Sequence, residues 1–482
     1  MTDTMRLYRY IMSALCIASL AACSDDDNNF AQPEYPEAPA VTAVSVENGA
    51  RVNPAEVTEI TVTYSAPVTV NPAERITLNE RGIIPTVTDG NVLHLAVSLT
   101  HSTEYELNIP AKAVIANRGL HYAPAVNVKF STIDKAEEVF DNPFDALTNP
   151  NATAQAQNVY EFLCRINGEK ILSGAMANVN NNNDFALWIN RFTGKMPALT
   201  GYDFIHVAQS APGAWIDYSD ISPATEQWEN NGLVSYMWHW SVPSTEEDYR
   251  AGNANKYGFY VPGAGSSDTE FDIREALKEG TWQHECIMAD IDKVAAHLRQ
   301  LQDAGIPVIW RPLHEAAGDY RYNNPWFWWG RYGTEYTRQL WVLMHDRLVN
   351  HHGLNNLIWV WTAQCSEGHD AEMKESYPGN EYVDIVGVDL YPDNNNSQKS
   401  AYDMALNMTE GHKLVTLSEC GRIPDPRKCI TEKAAWSWFM VWYSYNIADN
   451  AAQDNFGNTR DYFNSVMSSP FVIDRAQMPS LK

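Results

Sequence analysis

Arg311, His314 and Glu315 stand together where a short apolar run, Ile306 to Leu313, comes to its end. A carboxyl group flanked by a guanidinium and an imidazole can be tuned to hold or release a proton. Four aromatic residues follow within one loop, Trp326, Phe327, Trp328 and Trp329, closed by Gly330. Aromatic faces beside a carboxylate suit a flat, neutral, hydroxyl-rich ligand such as a sugar ring, because stacking covers its C–H face while polar groups take the hydroxyls. A second carboxylate, Glu419, ends another apolar run, Lys413-Leu-Val-Thr-Leu-Ser-Glu419. Two carboxyl groups facing one another across a cleft are what hydrolysis of a glycosidic bond needs, one to protonate the leaving oxygen and one as an anion at the anomeric carbon. Rival pairings of Glu419 with Glu367 or Asp389 lack an adjacent Arg and His.

Metal chemistry has less to stand on. His284-Glu285 lacks the second histidine of a zinc motif. His345, His351 and His352 have no carboxylate or cysteine at fixed spacing and read as solvated residues at a helix end. Neither a metal nor a cofactor is expected.

The elements that must position Glu315 and Glu419 are strands. Ile306 to Leu313 is a nearly continuous apolar and β-branched run, as in a strand buried on both faces of a parallel sheet. Strand candidates of this kind are Lys170 to Met176, Met196 to Phe204, Leu233 to Trp240, Ile306 to His314, Leu357 to Trp361, Val383 to Tyr391, Lys413 to Glu419 and Ser437 to Ser444. Helical periods lie between them, with Ile291, Val294, Ala295, Leu298 and Leu301 at steps of three and four. Alternating strands and helices on this scale predict an α/β fold, a (β/α)8 TIM barrel over residues 158–482. Glu315 and Glu419 then face each other across its C-terminal mouth, with Tyr391 at the end of the sixth strand and Trp442 near the end of the eighth. A Tyr391 hydroxyl there can donate to Glu419, and Trp442 can form a platform under a sugar, whereas Trp436 and Trp438 read as packing residues.

With 34 basic and 60 acidic residues the chain carries a formal charge of -26, which argues against nucleic acid and anionic lipid surfaces as partners and suits a neutral ligand. A monomer is expected. Arg6 and Arg9 precede an apolar stretch, Ile11 to Ala22, too short to span a bilayer, and residues 1–22 therefore read as a signal peptide. Its end, Leu20-Ala21-Ala22-Cys23, resembles a bacterial lipobox, which implies cleavage before Cys23 and a lipid on its thiol. The acidic run Ser24-Asp25-Asp26-Asp27 resembles the surface-export signal of Bacteroidetes lipoproteins and implies the outer face of the outer membrane. Of the other cysteines past the signal, Cys164, Cys286, Cys365, Cys420 and Cys429, only Cys420 and Cys429 could close a short disulfide loop, and free buried cysteines are the more ordinary reading.

Residues 23–38 form an acidic, Pro-rich spacer. From 39 to 133 short alternating runs, such as Glu59-Ile-Thr-Val-Thr-Tyr64 and Glu104-Tyr-Glu-Leu-Asn-Ile109, are separated by turn residues and predict a small all-β sandwich. Tyr64-Ser-Ala-Pro-Val68, Leu107-Asn-Ile-Pro-Ala111 and Phe130-Ser-Thr132 resemble a bacterial Ig-like domain, whose expected role is to hold the barrel away from the membrane. Residues 134–157 read as a linker.

Arg311-Pro-Leu-His-Glu315, Trp326-Phe-Trp-Trp-Gly330 and Ser418-Glu419 resemble glycoside hydrolase family 26. The resemblance runs from about Tyr160 to the C-terminus and includes Gly194-Lys-Met-Pro-Ala198 with Asp203 and Trp238-His-Trp240. It implies a retaining endo-β-1,4-mannanase acting on mannan, glucomannan or galactomannan, with Glu315 as acid/base and Glu419 as nucleophile. His314 would support the catalytic centre, and His239, Arg311, Trp326, Tyr391 and Trp442 would line the subsites nearest cleavage. A mixed-linkage β-glucanase or β-1,3-xylanase of the same family, or a surface lipoprotein that binds glycan without cleaving it, are the alternatives. The segment between Glu315 and Trp326 is longer than the family's usual one.

Overall fold

The computed structural model describes residues 37–482 apart from 55, 88–89, 117–120, 135–141, 317, 319–324, 364–367 and 444–453. The lipobox with Cys23, the spacer before residue 37, Asp319 to Tyr322, Cys365 and Glu367 lie outside the described residues. The chain divides into two compact units, Met1–Phe140 and Asp141–Lys482.

The first unit is all-β. One sheet orders Val41–Val44, Glu59–Tyr64, Val92–Ala96 and Pro85–Val87, and a second orders Arg51–Val52, Val126–Thr132, Glu104–Ile109, Thr77–Leu78 and Arg81–Gly82. Alternation does the sorting. Ile60, Val62 and Leu93 from the first sheet and Leu107, Ile109, Val128 and Phe130 from the second share one core, while the residues between them face outward.

The second unit is built on eight parallel strands: β1 (Ile171–Met176), β2 (Leu199–Asp203), β3 (Leu233–Met237), β4 (Val308–Arg311), β5 (Leu357–Ala363), β6 (Ile385–Leu390), β7 (Leu414–Cys420) and β8 (Trp438–Val441). Each pairs with the next, and β1 pairs with both β2 and β8, which closes the sheet into a barrel. Six of the eight candidate runs contain one of these strands whole, while Leu357 to Trp361 and Lys413 to Glu419 stop short of the ends of β5 and β7. β1, β2, β3, β4 and β7 are buried along their whole length, as strands covered on both faces must be. Glycines let the interior close. A Cβ at Gly174 of β1 would stand 2.6 Å from the carbonyl oxygen of Phe439 on β8.

The helix Trp282–Asp303 buries Ile287, Ile291, Val294, Leu298 and Leu301 on one face, capped by the Thr281 side chain on the His284 N–H. It delivers the chain to β4 through Gly305, whose φ of 71° is a left-handed turn that glycine adopts without cost. The stretch 142–157, read from sequence as the end of a linker, packs on the barrel instead. Thr148 N–H donates to Asp384 Oδ1 at 2.6 Å, Asn149 to Asn355 at 2.9 Å, and the helix Ala154–Ile166 begins inside it.

Cys420 and Cys429 are both buried and free, the ordinary state of buried cysteines, and no disulfide joins them. One sequence reading needs correction. His345 is buried against Trp359, with ring centroids 4.8 Å apart, because its position on the helix Thr334–Asp346 faces the barrel wall rather than water.

Candidate active site

Three strand ends carry the site. On β7 a register shift puts Val388 opposite Leu417 but Asp389 opposite Glu419, so Ser418 is an extra residue in β7. Such a bulge re-aims the side chains beside it. Asp389 and Glu419 thereby lie next to one another, and the Ser418 hydroxyl donates to Asp389 Oδ1 at 2.8 Å. Arg311, at the end of β4, reaches across to both: its Nη1 donates to Asp389 Oδ2 at 2.9 Å and its Nη2 to Glu419 Oε1. All three residues are buried. A guanidinium is suited to this because its planar fork can serve two carboxylates at once.

After β4 the backbone turns sharply. Leu313 and Glu315 take φ values of 49° and 52°, a left-handed conformation that costs a non-glycine residue about 1–3 kcal/mol and persists only where its surroundings hold it. The Trp329 indole supplies such a hold, donating to the carbonyl oxygen of His314 at 2.9 Å, and the Glu315 carbonyl accepts from Gly318 N–H at 3.0 Å. Gly330 closes the aromatic block because a Cβ there would collide with the Ala316 carbonyl. The Glu315 carboxyl is thus turned into the barrel mouth. Its Oε2 accepts from the Trp326 indole at 2.8 Å. One carboxylate oxygen each from Glu315, Asp389 and Glu419 lie within 4.8 Å of one another.

That grouping fixes the proton inventory. Three carboxylates around one guanidinium carry an excess of negative charge in a site shielded from water, which favours a bound proton. Glu315 is driven well above the ordinary carboxylate range by burial and by the charges of Asp389 and Glu419. Glu419 is also raised by burial and by Asp389, but only to about 7, because Arg311, His239 and a hydrogen bond from the Tyr391 hydroxyl to Oε2 at 2.8 Å oppose the rise. The proton therefore resides more firmly on Glu315. The cation at the centre of the three carboxylates is the chain's own Arg311.

A histidine pair backs this group. His239 contacts Asp203 Oδ2 through Nδ1 at 2.5 Å and donates its backbone N–H to Asp203 Oδ1 at 3.0 Å, and its Nε2 lies 3.2 Å from Nε2 of His314. Burial pushes His239 down, but the Asp203 carboxylate outweighs it and the net direction is up. His314 is held well below the usual imidazole value by burial and by the nearby Arg311 and His239, so it is neutral. Asp203 orients the pair as a carboxylate fixes an imidazole in other proton-handling sites.

A cavity of about 460 Å³ opens over these groups and is lined by Glu315, Glu419, His239, His314, Trp326, Tyr391 and Trp442. Arg311 lies beneath it. Every residue proposed for the site from sequence is therefore in one place, except that Cys23 lies outside the described residues. Trp436 and Trp438 are buried in the core. Asp389 was legible only as a rival to Glu315. It is a member of the same cluster, and the Arg whose absence told against it comes from β4, two strands away around the barrel.

A closed parallel barrel with two glutamates turned into its C-terminal mouth is an arrangement that suits glycosidic hydrolysis. The sequence profile of glycosyl hydrolase family 26 matches residues 148–476, and the chain belongs to that family. It is 33% identical over 402 residues to the mannan endo-1,4-beta-mannosidase B of Piromyces sp, a match covering 80% of this chain and 64% of that protein. The mannan endo-1,4-beta-mannosidase of Thermothelomyces thermophilus is 33% identical over 68% of this chain and 62% of its own length. The chain thus spans less than two thirds of these relatives. Among solved structures, the family 26 domain of an endo-beta-mannanase/endo-beta-glucanase from Prevotella bryantii is similar at 36% identity and a TM-score of 0.62, covering 70% of this chain and 99% of that domain. A beta-mannanase from a symbiotic protist of the termite Reticulitermes speratus, complexed with gluco-manno-oligosaccharide, is similar at 32% identity and a TM-score of 0.61 over 71% of this chain and all of the other.

Proposed function

We propose that this chain is a retaining endo-β-1,4-mannanase. What carries the reading is the unequal environment of two carboxyl groups held close together: Glu315 is driven well above the carboxylate range and retains its proton, while Arg311 and Tyr391 restrain the rise of Glu419 and favour its anion. Their oxygens lie within 4.8 Å, which suits the roughly 5–5.5 Å carboxyl separation of retaining enzymes rather than the wider gap that admits a water.

In the first step Glu315 gives its proton to the glycosidic oxygen as a Glu419 oxygen bonds to the anomeric carbon, and the C–O bond to the leaving sugar breaks. In the second step Glu315, now a carboxylate, takes a proton from water. The water oxygen bonds to the anomeric carbon, and the electron pair of the ester bond returns to Glu419. Trp442 forms a face for the sugar, and His239 and His314 hold the polar edge. The mannan preference is supported by the named relatives, and a mixed-linkage β-glucanase or β-1,3-xylanase would use the same pair. A glycan-binding protein without catalysis has no use for a protonated Glu315 beside an anionic Glu419.

The test is a pair of variants. Glu315→Ala and Glu419→Ala should each lose several orders of magnitude of turnover on mannan. An aryl mannoside whose leaving group needs no proton separates them: Glu315→Ala keeps much of its first-step rate and Glu419→Ala does not. Equal loss would overturn the roles. The chain is further proposed to be a lipoprotein of the outer membrane anchored at Cys23, with its all-β unit as an Ig-like spacer. The support is Leu20-Ala21-Ala22-Cys23 and the acidic run after it, and incorporation of labelled fatty acid that survives Cys23→Ala would contradict it.

A further inference from the structure

Tyr391 holds Glu419 through its hydroxyl, yet the residue is 48% exposed at the mouth of the catalytic cavity. A donor so open to solvent stays on its acceptor only if its ring is kept from turning, because the hydrogen bond depends on direction as well as distance. Two neighbours lie against that ring. A Cβ at Gly421, just past β7, would stand 2.8 Å from Tyr391 Cδ1, so the ring rests there on bare backbone. The same point lies 3.6 Å from Phe456 Cβ and Cγ, and the Phe456 ring meets that of Tyr391 edge to face with centroids 5.8 Å apart.

Phe456 sits where a phenylalanine is costly. It and Gly457 are the central residues of a hairpin between Asp454–Asn455 and Asn458–Thr459, with φ values of 52° and 75°. A two-residue turn with both φ positive takes Asn, Asp or Gly, and a bulky residue in that conformation persists only where its surroundings hold it. Phe456 is also 40% exposed, so burial offsets little of the strain. The hairpin is tied to both strand ends beside the site. Asn458, fully buried, donates to the Gly421 carbonyl oxygen at 2.6 Å and accepts from Ile423 N–H at 3.0 Å, beyond β7. Asn455, fully buried as well, donates to the Trp442 carbonyl oxygen, beyond β8, at 2.7 Å. Buried side-chain bonds of this kind fix a loop's position.

We propose that Phe456, presented by this hairpin, is a positioning residue that keeps the Tyr391 hydroxyl on Glu419 and so favours the Glu419 anion. The proposal rests on the glycosidase reading above with Glu419 as nucleophile. Phe456 touches no reacting atom.

The test follows kcat/KM of the full chain against pH. The charged and titratable groups facing Glu419 are Arg311, Asp389, His239, Tyr391 and Glu315. Phe456→Ala removes none of them, so a moved acidic limb reports the placement of Tyr391. Losing hold of the donor raises Glu419, and the limb should shift up by about half a pH unit, with kcat/KM below it down about threefold. Phe456→Tyr, which keeps the ring, should leave the limb in place. Gly421→Ala, which pushes on the Tyr391 ring from the other contact, should shift it upward too. Added to Tyr391→Phe, where no hydroxyl remains to be held, Phe456→Ala should move the limb no further. An unmoved limb in Phe456→Ala, an equal further shift in the Tyr391→Phe background, or a change in KM alone would overturn the positioning role while leaving the glycosidase reading intact. An intact chain that cleaves no β-mannan, β-glucan or β-xylan would overturn both.

Discussion

Tyr391 and Glu419, on neighbouring strands, are joined by a hydrogen bond of 2.8 Å from the tyrosine hydroxyl to Oε2, while Oε1 is taken by Arg311. Donors on both oxygens favour the anion, so Tyr391→Phe should move Glu419 upward from about 7. Attack needs the ionised form. The acidic limb of kcat/KM against pH should therefore shift to higher pH, with turnover at neutral pH down about ten- to hundredfold, as expected for one hydrogen bond to a charged group. An unmoved acidic limb would mean that Tyr391 does not tune Glu419.

Arg311 is the cation that Asp389 and Glu419 share inside the barrel. Arg311→Met removes it and should cost about 3–5 kcal/mol in urea unfolding, the usual result of leaving buried charge without its partner. The loss should depend on pH with a definite sign. Burial already raises both carboxyl groups in the folded protein, and without the guanidinium they rise further. Groups raised on folding bind protons in the native state, so their stability contribution is intact at acid pH and falls as pH climbs through the folded values. The variant's deficit should be larger near neutrality than at about pH 4. A deficit equal at both would contradict the electrostatic account.

The packed stretch 142–157 gives a truncation its two outcomes. A chain beginning near Lys135 keeps the bonds from Thr148 to Asp384 and from Asn149 to Asn355, and should cleave soluble mannan like the longer protein. A chain beginning at Tyr160 loses both, together with the cap of the helix Ala154–Ile166, and should melt several degrees lower. Equal melting temperatures would show that the stretch contributes nothing to the barrel.

The strands were legible because burial on both faces writes a continuous apolar run, and Glu315 and Glu419 were legible because each breaks such a run at its end. What the sequence conceals is what barrel closure creates. Asp389 looks isolated along the chain, yet it shares Arg311 with Glu419 across neighbouring strands. The bulge at Ser418 leaves no mark on composition, since Ser is ordinary in either register. His345 has the look of a solvated helix end, and only the packing of its helix against Trp359 buries it.

The central claim is that Glu419 attacks the anomeric carbon directly, with no water between them. Proton NMR of the first moments of a mannan digest, before mutarotation, observes this. Two displacements at one carbon restore its configuration, so the new reducing end should appear first as the β-anomer. Initial α-anomer would mean a single displacement by water and would contradict the role given to Glu419.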